Sequence, residues 1–68
     1  MKFAVVIEHG PTSYGASVPD LPGCVAVAAT RDEVERLIQE AIGAHVAELR
    51  AEGLTVPEPL TQVTTVEV

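Results

Sequence analysis

Cysteine occurs once in these 68 residues, at Cys24, so no disulfide can close within the chain. The two histidines, His9 and His45, lie far apart in sequence, and with a single thiol they leave no plausible zinc ligand set. Tryptophan is missing, and Phe3 and Tyr14 are the only aromatics, which excludes a core built on large rings. No apolar run approaches the ~20 residues of a membrane-spanning helix. The amino terminus lacks the apolar stretch of a secretory signal, so a cytoplasmic location and no membrane contact are expected. Basic residues number only four against ten acidic ones, a net charge of −6. That balance argues against direct binding to nucleic acid phosphates and suits a basic protein partner.

What is there is aliphatic. Hydrophobic residues make up 47% of the chain, mostly Val, Ala, Leu and Ile. A chain this short makes one domain, residues 1–68, and buries only about 60% of its unfolded surface. Scaffolds below roughly 70–80 residues usually need a disulfide, a metal or self-association for secure stability. With the first two missing, a homodimer or homotetramer is expected, formed through a sheet edge or an apolar helix flank.

Periodicity supplies the elements. Lys2 to His9 places Phe3, Val5 and Ile7 on one side, the pattern of a first strand. Gly10-Pro11-Thr12-Ser13 is turn chemistry, and Tyr14 to Val18 forms a second strand. Pro19-Asp20-Leu21-Pro22-Gly23 breaks that strand, since two prolines remove ladder donors within four positions. Cys24 to Ala28 is the third. Thr30 and Glu33 have the spacing of a capping box, with Asp32 and Glu33 favouring the positive helix end. Val34, Leu37, Ile38, Ala41, Ile42, His45, Val46 and Leu49 then trace one apolar helix face. Gly53 stands where a left-handed residue would end the helix, predicting a span of Arg31 to Glu52. Beyond Pro57 and Pro59, Leu60 to Val68 alternates again with β-branched residues, predicting a fourth strand. The expected fold is α+β, in the order β-β-β-α-β, an antiparallel sheet with one helix packed on one face.

Three segments together carry a resemblance: Tyr14-x-x-x-Val18-Pro19-Asp20-Leu21-Pro22-Gly23-Cys24, then Thr30-x-x-Glu33, then Glu52-Gly53-x-x-Val56-Pro57-x-Pro59. In their order and spacing the chain resembles the HicB-like antitoxin family over nearly its whole length. The resemblance implies a truncated ribonuclease-H-like fold. It also implies a function: docking on HicA, a small basic mRNA interferase, and blocking its catalytic surface. Many members of that family add a DNA-binding module, and none is expected within these 68 residues. Ala28-Ala29 also stand where the family often has a Gly-Asp pair, implying a tighter connection into the helix.

The chemistry-bearing residues fit a binding role better than a catalytic one. Glu8, Asp20 and Asp32 are scattered as a strand-end, a turn and a helix-start residue, unlike the carboxylate cluster a metal-dependent nuclease needs. His45, on the apolar helix face, reads as a core histidine or an interface residue, and catalysis would require a partner that the sequence does not identify. His9 reads as a solvated turn residue. Cys24 reads as a small buried side chain, with no neighbouring cation to stabilise a thiolate. Tyr14 offers either core packing or an aromatic contact for a partner. The acidic set Asp32, Glu33, Glu35, Glu40, Glu48, Glu52 and Glu58 could steer a basic toxin. The expectation is a non-enzymatic antitoxin domain without cofactor or metal. Tyr14, Asp20, Asp32 and Glu35 are its candidate partner-binding residues, and a small basic HicA-like ribonuclease is its partner. The alternative is an orphan structural or oligomerisation domain of the same fold.

Overall fold

The computed structural model describes all 68 residues. It contains β1 (Val6–His9), β2 (Tyr14–Ser17), β3 (Val25–Ala28) and α1 (Arg31–Ala51), with the strands in the order β1-β2-β3 and antiparallel throughout. The α+β class and the single helix on one sheet face are as the sequence predicts.

The first hairpin closes over Gly10–Ser13, where the Gly10 amide donates to the Ser13 carbonyl at 2.8 Å. Its register sets His9 opposite Tyr14 and Ile7 opposite Ala16. Since side chains alternate across a strand, Val5 and Ile7, Ala16 and Val18, and Cys24, Ala26 and Ala28 share the face under the helix. Each of them is at least half-buried. β1 is shorter than the predicted Lys2–His9. Beyond Ser17 the chain turns away, with the Val18 amide bonded to the Cys24 carbonyl, so nothing on β2 lies opposite Phe3 to Val5.

The connection from Val18 to Cys24 does more than break a strand. The Leu21 amide donates to the Val18 carbonyl at 3.1 Å, and the Cys24 amide to that of Leu21 at 3.0 Å. Gly23 takes φ 84°, a left-handed conformation that a Cβ would strain. This tight winding turns Leu21 inward to zero exposure, where it forms one core with Val18, Cys24, Ala16, Ala28, Val34 and Ile38.

The helix begins at Arg31 as predicted, with the Thr30 half of the capping box made and no return bond to the Glu33 carboxylate. Thr30 is extended at φ −125° and its Oγ1 accepts from the Glu33 amide at 3.2 Å. Replacing Thr30 with Ala should therefore lower unfolding stability by roughly 1 kcal/mol, read as a reduced urea midpoint at an unchanged slope. At the other end Gly53 has φ 73°, its amide donating to Arg50 while that of Leu54 reaches back to Leu49. These are the paired bonds of a Schellman stop.

Twenty-one helical residues span about 31 Å, against about 14 Å for four-residue strands, so the helix overhangs the sheet. This mismatch grades the burial along its apolar face. Val34 and Ile38 are sealed, whereas Ala41, Ile42, His45, Val46 and Leu49 are only half-covered. The helix lies over β3 and β2 and makes no close approach to β1.

The predicted fourth strand is corrected: Leu60 to Val68 forms no ladder with the chain's own sheet, and the observed order is β-β-β-α. Residues 60–68 are exposed throughout, with Leu60 and Val63 each 75% and Val66 81% accessible. The reason is where the segment leaves the domain. Thr61 is held at the β2–β3 connection, its amide donating to Asp20 Oδ2 at 3.0 Å and its hydroxyl to Oδ1 at 2.9 Å. Beyond that tether the chain meets no strand of its own domain.

Candidate partner-binding surface

The four residues singled out by sequence do not converge. Tyr14 begins β2 and pairs with Ala28, the last residue of β3, which places it at the sheet end where the helix starts. Asp32 and Glu35 stand exposed in the first turns of that helix, so these three share one end of the molecule. Asp20 lies at the opposite end, with both carboxylate oxygens engaged by Thr61. Glu35 is partly engaged as well, accepting from Arg31 Nε at 3.0 Å, and Arg36 donates likewise to Glu40 at 3.1 Å. Pairs this exposed each contribute about 0–1 kcal/mol.

Tyr14 is half-buried and packs against the core, and its ring also has a partner that sequence reading did not foresee. His9 stacks on it, the ring centroids 4.1 Å apart and the planes within 3° of parallel. His9 is the exposed last residue of β1, where the predicted first strand ends, and its position opposite Tyr14 in the register produces the stack. The signal in the sequence was the symmetric placement of the two residues about the four-residue turn. The pair forms a flat, partly exposed aromatic surface beside the acidic helix start.

Acidic side chains surround the exposed helix surface. At 100° per residue Glu33 and Glu40 fall on one flank and Glu35 on the other, with Asp32 between them on the outer side. Against them the helix carries Arg31, Arg36 and Arg50, two of which are paired. No three His, Cys, Asp or Glu side chains are grouped to hold a metal ion. Glu8, Asp20 and Asp32 sit on separate elements, and His45 is half-buried on the apolar helix face.

Cys24 is buried, and loss of solvent pushes its thiol pKa upward. The folded state therefore favours the neutral thiol. The stability this provides is intact below the unfolded thiol pKa of ~8.5 and is lost as pH rises through the folded value. Denaturation midpoints should hold level up to that pH and decline above it, and Cys24→Ala should flatten the alkaline decline. A thiol reagent should label Cys24 only as fast as the protein opens.

A second surface feature lies between β1 and the helix. Val5 and Ile7 on the strand, with Glu35, Ile38 and Gln39 on the helix, line an open groove of about 200 Å³. On the sheet face away from the helix, Val25 and Val27 are 63% and 68% exposed, and Val6, across Ser17 of β2 from Val25, is 42% exposed. No helix is long and apolar enough to cross a membrane.

Comparison with known proteins follows the same outline. The model of the HicB-like antitoxin of bacterial toxin-antitoxin systems matches residues 3–67. A protein of Archaeoglobus fulgidus, described as a UPF0150 protein, is 46% identical over 43 residues, which is 62% of this chain and 62% of that protein. The alignment thus spans less than two thirds of the relative's length. No solved structure matches significantly.

Proposed function

The chain belongs to the HicB-like antitoxin family, which gives it a toxin-antitoxin role and a toxin as partner, and from that premise we propose that it neutralises a small basic ribonuclease of the HicA type. It acts in the cytoplasm by docking on the toxin and occluding the surface that cleaves mRNA, contacting the toxin rather than RNA and performing no chemistry itself. The observation that carries this reading is the family match over residues 3–67. A net charge of −6 supports it, five of the ten carboxylates standing exposed on the helix, because complementary charge steers a basic partner and raises its rate of encounter. The stacked His9–Tyr14 pair beside Asp32 and Glu35 is the anchor we assign to the contact, since tyrosine is among the residues enriched at the few positions that carry most of the binding energy.

Mixing the purified chain with its cognate HicA-type ribonuclease should yield one co-eluting complex that weakens as salt is raised. Absence of a complex at micromolar concentrations of both would remove the proposal. The exposed apolar surface favours a second reading, an orphan oligomerisation domain without a toxin. That reading predicts self-association with no small basic protein encoded nearby.

A further inference from the structure

We propose that residues 62–68 form a strand on a second copy of this chain, adding to the free edge of β1 and closing the groove between that strand and the helix. This deepens the self-association expected of so small a domain and does not depend on any toxin.

Three observations meet here. The first is the surface area. A folded monomer of 7.1 kDa is expected to expose about 4,100 Å². This chain exposes 5119 Å². The excess of about 1,000 Å² is close to the ~800 Å² that each partner commonly buries in a stable interface.

The second is the segment itself. Seven extended residues reach about 24 Å. Phe3 to His9, the line of β1 with its unpaired approach, is the same number of residues long. In residues 62–68, Thr64, Val66 and Val68 share one side and Val63, Thr65 and Glu67 the other, a half-buried strand pattern presented to solvent. Exposed apolar strand segments of this type readily pair with a free sheet edge.

The third is the receiving site. β1 has β2 on one side only, and its other edge has no partner. The helix covers β2 and β3 but stands off β1, which leaves Val5, Ile7 and Ile38 lining an open groove. A strand laid along β1 would place Val66 and Val68 over the part-exposed Val5 and Ile7, at the edge of the buried Ile38, and Glu67 toward solvent. The Asp20–Thr61 tether holds the segment out from its own domain, so exchange between two copies satisfies both edges by symmetry.

The test uses the protein without toxin. Light scattering should give twice the chain mass. In a mixture of isotope-labelled and unlabelled copies, filtered Overhauser contacts should join the Val66 and Val68 methyls of one copy to Ile7 and Ile38 of the other. A chain ending at Thr61 should fall to the monomer mass. A full-length monomer overturns the proposal, as does a dimer whose 66–68 methyls touch only their own chain or nothing. The Overhauser measurement needs no altered protein, so it decides the matter even if the shortened chain fails to fold. Failure here leaves toxin binding untouched, and failure to bind toxin leaves this exchange intact.

Discussion

Leu21→Ala is expected to remove a large share of the domain's stability and to lower its thermal midpoint by tens of degrees. Removing a fully buried leucine costs about 2–5 kcal/mol, at the upper end where the surroundings cannot collapse into the space. Leu21 has zero exposure and sits in a loop held by its own backbone hydrogen bonds, so little relaxation is available. The total to be lost is small. At roughly 0.05–0.15 kcal/mol per residue, a chain of this length holds about 3–10 kcal/mol. For a domain of 60–100 residues each kilocalorie shifts the midpoint by roughly 4–8 °C, giving an expected drop of about 8–40 °C in thermal denaturation followed by circular dichroism. A drop of only a few degrees would show that the loop is peripheral to the fold. Val34→Ala, which empties the same core from the helix side, should show the same direction of change.

The second large effect concerns the partner. Neutralising Asp32, Glu35, Glu40 and Glu48 together, as Asn and Gln, takes the formal net charge from −6 to −2. All four are exposed, so the fold should survive, with a stability change small beside that of Leu21→Ala. Association with a basic toxin should slow by about tenfold or more at low ionic strength, because steering contributes roughly 10 to 10³ to such rates. The difference should shrink as salt is raised and the Debye length falls below about 8 Å. Stopped-flow association rates across a salt series measure this. Equal rates for both proteins at low salt would remove charge from the recognition scheme.

Much of the fold was legible because local physics agreed with itself. The Thr30 cap, the apolar stripe from Val34 to Leu49 and the Gly53 stop each carry one helical signal, and all three stand where the sequence places them. The Gly10–Ser13 hairpin was equally readable. Two things were not. Pro19 to Gly23 announces a turn, but which of its side chains points inward depends on the winding of the loop, so Leu21 emerged as the core centre only in three dimensions. Residues 60–68 carry a sound strand pattern, yet pattern specifies a half-buried surface and not which sheet supplies it. Of the candidate partner residues, Tyr14, Asp32 and Glu35 gather at one end. Asp20 is spent on Thr61, a bond spanning forty-one positions that no local signal announces. The His9–Tyr14 stack follows from hairpin register, which becomes certain only once the turn length is known.

As proposed, this acidic α+β domain silences a basic ribonuclease by covering it, without a reaction centre of its own. The most direct test is RNA cleavage by a cognate HicA-type ribonuclease, measured while this chain is titrated in with magnesium present. The account predicts that cleavage falls to background once the chain reaches stoichiometric amounts, and that the chain alone leaves the RNA intact. Undiminished cleavage at saturating chain, or RNA degraded by the chain alone, would contradict it.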